Sequence, residues 1–420
     1  MSETDLESGL EVGLEKGLES CAPLPVQGVS LAAVEAGVRY PNRLDLVAIS
    51  FAPATRAAAV FTRNAFCAAP VTVAREHLHS CGFAPRLLLI NTGNANAGTG
   101  DAGLRAAKEC CLAAAQEAGL RAEEVLPFST GVIGEDLPSE QICVALPGLL
   151  DALASDAWAS AAQGILTTDT RPKIASRRFS VGDNSYVLTG IAKGAGMLRP
   201  DMATMLAFFA TDAPLSQSLL QHVLRRAVDA SFHRITVDGD TSTNDAVLLA
   251  ATGAAGGAVC DSEDAPLAVA FFAALESLSI ELAQGLVRDG EGASKFVQID
   301  VSGGASEQEC LDVAFTVAHS PLVKTALFSS DPNWGRILAA IGRAGVKGLD
   351  VRGVRVAIND LPIAEAGCRA AEYNEERLSE AMQRRDLCLT IDLGRGHCAE
   401  RVWTSDFSYD YVRINAEYRS

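Results

Sequence analysis

Short apolar runs alternate along this chain with longer segments that are rich in alanine and leucine. Apolar runs of about four to eight residues are typical of buried strands, and apolar spacing sustained over more than about ten residues is typical of helices. An alternation of the two predicts a layered fold that mixes α and β. We expect strands at 46–50, 58–61, 87–90, 206–210, 351–358 and 387–393, and helices at 104–118, 149–165, 215–230 and 267–286.

Composition and charge narrow the class of protein. A chain of 420 residues with 48% hydrophobic and 21% charged residues can bury a large core without metals or disulfides. Its net charge of −17 argues against a nucleic-acid partner, which needs clustered lysine and arginine. The 11 cysteines form no Cys-x-x-Cys pair, and the six histidines have no metal-ligand spacing. We therefore expect free thiols in a reducing compartment, a cytoplasmic protein and no metal site.

Residues 1–20 are acidic and contain neither the basic start and apolar core of a secretion signal nor the arginines of a transit peptide. Leucines recur every four residues from Leu6 to Leu18, which would suit a partner-binding helix, but glycines recur with them from Gly9 to Gly17. Each glycine costs a helix about 1 kcal/mol relative to alanine, so a flexible acidic arm is the preferred interpretation. No run of 18 apolar residues occurs, and no membrane span is expected.

The common phosphate, hydrolase and metal motifs are absent from the sequence. There is no P-loop, no Gly-x-Ser-x-Gly elbow and no His-Glu-x-x-His helix. Gly194 and Gly196 do not continue into a dinucleotide-binding fingerprint, because Arg199 stands where the third glycine is needed. The acidic run from Asp238 lacks both the glycine at its sixth position and the glutamate at its twelfth that a calcium-binding loop requires.

Thr204 follows a glycine-rich loop and stands at the mouth of a strand-like run. Gly194 and Gly196 permit unusual backbone shapes and Pro200 has a fixed φ, so the loop could hold Thr204 in one place. The simpler interpretation is a threonine that opens a strand after a turn. The alternative is a nucleophile activated by its own α-amine, which requires cleavage of the bond to Ala203. Such an amine has a pKa of ~7.7–8.0 and can accept a proton near pH ~8.

Eight blocks of sequence, in order, closely resemble the ornithine acetyltransferase family, also called the bifunctional glutamate N-acetyltransferases. The central block runs from Lys193 as Lys-Gly-Ala-Gly-Met-Leu-x-Pro-x-Met-Ala-Thr-Met-Leu. The resemblance spans roughly residues 25–420, and the order of the blocks makes it far more specific than any one of them. The other blocks are Asn91-Thr-Gly-Asn-Ala-Asn-Ala97, Ser129-Thr-Gly-Val-Ile-Gly134, Thr167-Thr-Asp-Thr170, Arg234-Ile-Thr-Val-Asp-Gly-Asp-Thr-Ser-Thr-Asn-Asp245, Asp289-Gly-Glu-Gly-Ala293, Asp331-Pro-Asn-Trp-Gly-Arg-Ile337 and Asp410-Tyr-Val-Arg-Ile-Asn-Ala416.

The resemblance implies an enzyme that cleaves its own chain between Ala203 and Thr204. The products would be an α chain at 21–203, after the arm at 1–20, and a β chain at 204–420, together forming a heterotetramer of two α and two β chains. Thr204 would take the acetyl group of N2-acetylornithine, release ornithine and pass the acetyl group to glutamate, without a cofactor, in cyclic arginine biosynthesis. Some members of the family also accept acetyl-CoA as donor. The implied fold is α/β, a layered α-β-β-α-type sandwich shared with self-cleaving aminopeptidases.

The same resemblance implies the site residues. Thr130 and Gly131 would form the oxyanion hole, where losing one donor typically costs about 2.7–4 kcal/mol of transition-state stabilisation. Lys193 would hold a substrate carboxylate and keep the nearby amine neutral, and Glu291 would pair with the substrate's ammonium group. Without the resemblance, these segments would be interpreted as surface turns and solvated charges. The implied substrate-binding positions are Thr167, Lys193, Thr204, Glu291, Asn415 and Ser420, the last standing where the family usually has threonine.

Two other functions stay open on the sequence alone. A self-cleaving hydrolase or aminopeptidase would share the acyl-enzyme and use water as the attacking group. A binding protein without catalysis would have lost the nucleophile or the oxyanion hole, and both are present. The pair of Lys193 and Glu291 suits a zwitterionic amino acid and favours the transferase. The segments 91–97 and 238–245 are expected to support the pocket through turns, and 331–336 to contribute packing and ion pairs.

Overall fold

The computed structural model describes residues 15–16, 22–199 and 205–418. Of the expected arm at 1–20, only the short strand β1 lies within these ranges, where it pairs antiparallel with β7. The strands are β1 (Glu15–Lys16), β2 (Val29–Val34), β3 (Leu46–Phe51), β4 (Arg56–Phe61), β5 (Leu87–Asn94), β6 (Val125–Val132), β7 (Lys173–Val181), β8 (Asn184–Lys193), β9 (Leu206–Thr211), β10 (Ile235–Thr236), β11 (Ala246–Ala251), β12 (Phe296–Gly304), β13 (Arg355–Ile358), β14 (Leu361–Glu365), β15 (Cys368–Arg369), β16 (Asp386–Asp392) and β17 (Cys398–Ser405). The helices are α1 (Ala69–Ser80), α2 (Gly100–Ala118), α3 (Ser139–Asp151), α4 (Trp158–Gly164), α5 (Gln217–Ala230), α6 (Pro266–Arg288), α7 (Glu307–Ala318), α8 (Pro321–Phe328), α9 (Trp334–Gly342), α10 (Glu375–Met382) and α11 (Tyr409–Glu417).

Two sheets pack face to face at the centre of the sandwich. One has six strands in the order β1-β7-β8-β9-β11-β4, and the other has four in the order β2-β3-β5-β6. Apolar side chains from both sheets form one buried core, in which the rings of Phe128 and Phe208 meet edge to face at 5.0 Å. Phe209, the next residue on β9, belongs to the core on the opposite face, because successive side chains of a strand point to opposite sides.

Helices cover the outer face of each sheet. On the six-stranded sheet, α5 and α6 contribute Leu224 and Leu278 to the core that contains Phe209. On the four-stranded sheet, α2 and α3 contribute Cys111 and Leu146 to a separate core. The layers therefore follow the order α, β, β, α, which confirms the predicted α/β sandwich.

Helix α6 is the one described helix whose length and apolar composition would allow it to cross a membrane. Half of its most apolar stretch of 18 residues is nevertheless buried inside the protein, against α5 and the six-stranded sheet. A helix that lies between a sheet and a second helix is apolar because it serves the core. We therefore assign α6 to the core of the sandwich.

The chain also forms a third sheet outside the two sheets of the sandwich. Its seven strands have the order β10-β17-β12-β16-β13-β14-β15, and α7 to α10 pack on it around a further apolar core. Phe296 of β12 and Trp403 of β17 also belong to the core beneath α6, so this sheet is joined to the sandwich by packing. The junction fixes the loop between α6 and β12, where Glu291 lies.

Two predicted elements differ from the structure. The single helix expected at 149–165 is wrong: α3 and α4 are separate, because Ala154 between them exchanges two backbone hydrogen bonds of 2.9 Å with Leu31 of β2. A residue inside a helix could not offer its amide and carbonyl to a strand. The strand expected at 351–358 is half wrong, since its first part forms a turn around Gly353 and only β13 is extended.

Candidate active site

A cleft of about 260 Å³ lies where β6 and β8 end against the loops that follow α4 and α6 and against helix α11. Its lining also includes the glycine-rich loop after β8. Residues that are far apart in the sequence therefore share one cavity. The predicted site residues that line it are Thr130, Gly131, Thr167, Lys193, Glu291 and Asn415.

Gly131 shapes the backbone at the end of β6. Its φ is +138°, and a Cβ atom there would lie 2.2 Å from the carbonyl carbon of Gly93 on β5. Only glycine accommodates both the conformation and the close approach. The register between β5 and β6 shifts between Gly93 and Asn94, and this irregularity brings main chain rather than a side chain into the cleft lining.

Buried amides and hydroxyls hold the strand ends behind this glycine. Ser129 Oγ donates to Asn91 Oδ1 at 2.6 Å, which joins β6 to β5. Asn244 Nδ2 donates to the carbonyls of Ser129, at 2.9 Å, and Ala95, at 2.6 Å. The segments 91–97 and 238–245 therefore support the cleft, as the sequence leads us to expect.

Lys193 is buried and bridges two threonines. Its Nζ donates to Thr130 Oγ1 at 3.0 Å and to Thr167 Oγ1 at 2.8 Å. An ammonium group has three donors, so one of them is left for a ligand. A hydroxyl that accepts from lysine keeps its own hydrogen, so Lys193 leaves Thr130 able to donate into the cleft. Burial lowers the pKa of Lys193, and the negative charge of Asp169 opposes that effect.

Asp169 carries the charge that compensates Lys193, and sequence reasoning did not single it out. Its carboxylate accepts from the Gly194 amide at 2.7 Å and from Lys173 Nζ. Lys173 also pairs with Asp289 at 2.7 Å. Burial by itself would raise the pKa of Asp169, but the charges of Lys193 and Lys173 and the Gly194 amide together lower it to about 2. Two buried lysines and two buried aspartates thus form one balanced network beneath the cleft.

Glu291 supplies a negative charge on another part of the lining. Its Oε2 accepts from Asn415 Nδ2 at 2.8 Å, and its amide donates to the Ala195 carbonyl at 2.8 Å. A Cβ atom on Gly196 would lie 2.3 Å from Oε2 of Glu291, so the glycine makes room for the carboxylate. Glu291 Oε1 has no protein donor among the hydrogen bonds of the described residues, and it can accept from a ligand's ammonium group.

Asp238 fixes the glycine-rich loop from behind. Its carboxylate oxygens accept from the amides of Met197, at 2.6 Å, and Leu198, at 2.8 Å. Met197 has a φ of +50°, a conformation that non-glycine residues rarely adopt. Burial raises the pKa of Asp238 even though these amides oppose the shift. The geometry of this turn is therefore held by an aspartate that the sequence indicated only as part of a polar run.

Other predicted residues fall outside the cleft or outside the described ranges. Ala203, Thr204 and Ser420 lie outside the residues that the structure describes. The segment 331–336 begins α9, where Asn333 caps the helix by accepting from the Arg336 amide at 3.1 Å, and none of its residues lines the cleft. Within the described ranges, no group of three or more metal-ligating side chains is present.

Comparisons with known proteins found relatives over most of the chain. A model described as the ArgJ family matches residues 30–420. Among curated relatives, the arginine biosynthesis bifunctional protein ArgJ of Pseudomonas syringae pv. tomato is 53% identical over 94% of this chain and 97% of that protein. Its counterpart in Methylococcus capsulatus is also 53% identical, over 94% of this chain and 96% of that protein.

Two solved structures are similar over about half of the chain. One is the arginine biosynthesis bifunctional protein argJ from Bacillus halodurans, 36% identical, with a TM-score of 0.47 over 49% of this chain and 96% of that one. The other is ornithine acetyltransferase from Mycobacterium tuberculosis, solved in complex with ornithine. It is 34% identical, with a TM-score of 0.39 over 43% of this chain and 93% of that one.

Proposed function

Because the chain belongs to the ArgJ family, we propose that it transfers an acetyl group from N2-acetylornithine to glutamate in cyclic arginine biosynthesis. It is an acetyltransferase of that route, and the family resemblance predicted from the sequence blocks is confirmed. One observation in the cleft supports this substrate class. Lys193 and Glu291 line the same cavity and offer opposite charges to a molecule that carries both a carboxylate and an ammonium group.

In the self-cleavage that we propose, the hydroxyl of Thr204 is the nucleophile that attacks the peptide bond before it. The hydroxyl attacks the Ala203 carbonyl, the peptide nitrogen leaves with a proton, and the acyl group moves to the oxygen as an ester. Water then hydrolyses the ester, which leaves a carboxylate on Ala203 and a free amine and hydroxyl on Thr204. The fixed chain on both sides supports this step. Leu198 is held by Asp238, and the Met205 carbonyl accepts from the Ala246 amide at 3.0 Å.

Acetyl transfer follows as two half-reactions. The free α-amine takes the proton of the Thr204 hydroxyl, whose oxygen attacks the acetyl carbonyl of the donor. The Thr130 hydroxyl and the Gly131 amide are our candidates for stabilising the oxyanion that forms. Ornithine leaves as an amine after taking the proton from the α-amine, and an acetyl-threonine ester remains. The amine of glutamate then attacks the ester carbonyl and gives a proton to the α-amine of Thr204. The bond to the Thr204 oxygen breaks, that oxygen takes the proton back as a hydroxyl, and N-acetylglutamate departs.

The proposal also covers the assembly of the enzyme, its location in the cell and the groups that the reaction needs. We infer a heterotetramer of two α and two β chains, and the exposed Tyr409 and Val412 on α11 offer an apolar surface for such an association. The cysteines within the described ranges are all free thiols, which supports a cytoplasmic location. The chemistry above needs no cofactor, and acetyl-CoA is a further candidate donor for the same threonine.

The proposed function is tested by supplying N2-acetylornithine labelled in its acetyl group, with and without glutamate. We expect labelled N-acetylglutamate only when glutamate is present, and one equivalent of ornithine per site when it is absent. Rapid release of labelled acetate, unaffected by glutamate, would instead identify a self-cleaving hydrolase. Intact mass should show two fragments that meet at the bond between Ala203 and Thr204 in place of one chain of 44.0 kDa.

Replacing Glu291 by glutamine should weaken binding of the donor. The amide can still accept from Asn415, but it offers no negative charge to the side-chain ammonium of acetylornithine. A hydrogen bond to a charged group contributes about 1.5–3 kcal/mol, so we expect KM for acetylornithine to rise about 10- to 100-fold. Steady-state kinetics with N2-acetylnorvaline, which lacks the terminal ammonium, is the control. An equal loss for both donors would contradict the assigned role.

Asp238→Ala should slow the self-cleavage. It removes the acceptor for the Met197 and Leu198 amides, so the loop before the cleaved bond loses its anchor. Each lost bond to a carboxylate is worth about 1.5 kcal/mol or more, and we expect at least a ~10-fold lower rate. The rate is read from intact mass at intervals after synthesis. Asp238→Asn keeps one acceptor oxygen, so its cleavage rate should lie between those of the wild type and Asp238→Ala. A wild-type rate in the alanine variant would refute the anchoring role.

A further inference from the structure

A second cleft of about 210 Å³ adjoins the one just described, and two arginines line it. The two cavities share lining residues, among them Gly131, Thr167 and Tyr418, so a ligand bound in the first can extend into the second. Arg39 and Arg43 enter from the loop between β2 and β3. No role assigned so far involves either of them.

The two arginines differ in how their charges are compensated. Arg39 Nη1 pairs with Glu135 Oε2 at 2.5 Å, and its Nε donates to the Tyr40 hydroxyl at 3.1 Å. Arg43 uses Nη2 to donate to the carbonyl of Leu166 and, at 3.1 Å, to that of Thr167. No carboxylate of the described chain pairs with Arg43. A guanidinium is always charged, so Arg43 brings to the second cleft a positive charge that has no ion-pair partner within residues 15–16, 22–199 and 205–418.

The proposed function creates a need for such a charge, and the inference rests on it. The donor's side chain ends in an ammonium group, whereas the acceptor's ends in a carboxylate. Both must present their α-nitrogen to the same threonine in turn. Glu291 attracts the first side chain and repels the second, because two carboxylates at close range raise each other's energy. Glutamate therefore needs a different place for its side chain than ornithine does.

We propose that Arg43 binds the side-chain carboxylate of the acceptor glutamate. Thr167 ties this subsite to the first one, since its carbonyl accepts from Arg43 and its hydroxyl accepts from Lys193 at 2.8 Å. The carbonyl and hydroxyl oxygens of one threonine are only ~3–4 Å apart, so the two cationic nitrogens lie within ~10 Å of each other. The two carboxylates of glutamate are separated by about 5 Å, and hydrogen bonds of ~2.8 Å at each end let them span that distance. The α-carboxylate then lies on Lys193 and the side chain on Arg43.

The test separates the two half-reactions in Arg43→Gln. Formation of the acetyl-enzyme is read as the burst of ornithine from acetylornithine, and its discharge is read from the dependence of the rate on glutamate. We expect KM for glutamate to rise about 10- to 100-fold, while the ornithine burst changes far less. Glutamine as acceptor supplies a second readout, because the preference for glutamate over glutamine should shrink by the same factor. Arg43→Lys, which keeps the charge, should recover much of the preference.

Each other outcome overturns the subsite. An equal loss in both half-reactions would mean that Arg43 only supports the backbone at Leu166 and Thr167. A change confined to KM for acetyl-CoA would assign the positive charge to a phosphate of that donor. If Arg43→Gln does not fold, Arg43→Lys decides the question, because it keeps the positive charge. A folded Arg43→Lys protein that had lost the preference for glutamate over glutamine would count against a role of that charge. Failure of the proposed function itself looks different, since the wild-type protein would then either give no ornithine burst or release ornithine and acetate at a rate that does not depend on glutamate.

Discussion

Replacement of Thr204 by alanine is expected to leave one uncut chain of 44.0 kDa and to lower acetyl transfer at least ~10⁴-fold. The loss is this large because the same hydroxyl is proposed for two steps. Without it, nothing attacks the Ala203 carbonyl, so the α-amine that would act as base stays in a peptide bond. Without it, no oxygen is available to carry the acetyl group between donor and acceptor either. Intact mass reports the first loss and N-acetylglutamate formation the second.

A serine at position 204 is the matched control. It keeps the hydroxyl and removes only a methyl group, so cleavage and transfer should both persist at reduced rates. A second control supplies the two chains, 1–203 and 204–420, from separate messages, with the second beginning at the threonine after removal of its initiator. Transfer by that pair would show that cleavage matters only as a way to free the amine. Wild-type activity in an uncut Thr204→Ala chain would refute the nucleophile.

Local sequence was sufficient to predict most of the strands and helices named in advance, whereas the order of the layers and part of the cleft came from the family resemblance. The apolar runs of β3, β5 and β9 and the spacing in α5 and α6 reflect burial on one or both faces, which is a property of each segment alone. Thr130 and Gly131 were found because their block resembles a known family, and the φ of +138° now gives a physical reason for the glycine. The helix expected at 149–165 failed because a distant strand, β2, takes the hydrogen bonds of Ala154.

Residues that act through distant partners could not be predicted in this way. Lys173 and Asp289 are 116 positions apart, and Arg43 and Thr167 are 124 apart, so their contacts arise only when the sandwich has formed. In the sequence, Lys173 and Arg43 look like ordinary solvated charges. Asp169 lies in the block 167–170, where the resemblance assigns a role only to Thr167. Nothing in the local sequence indicates that Asp169 compensates the charge of Lys193. Charge balance inside a cleft is a property of the fold, whereas the motif marks only some of the groups involved.

The buried charge network predicts that Asp169→Asn will destabilise the protein by about 3–5 kcal/mol, because breaking a buried pair leaves a charge without its partner. Lys173 keeps Asp289, but Lys193 loses the carboxylate that compensates it. The free energy of unfolding in urea measures the effect. The control is Glu281→Gln, which removes the exposed partner of Arg177 and should cost less than about 1 kcal/mol. Similar losses in the two variants would show that the network is not what stabilises this region.

The same network predicts how the difference between wild type and Asp169→Asn depends on pH. The pKa of Asp169 is lowered from 3.8 to about 2 on folding, so the unfolded state binds its proton first as the pH falls. The stability that the carboxylate contributes is therefore complete above about pH 4 and is lost as the pH falls through 2. Asparagine does not titrate, so the gap between the two unfolding free energies should narrow between pH 4 and pH 2. A gap that stays constant over this range would mean that folding does not lower the pKa of Asp169.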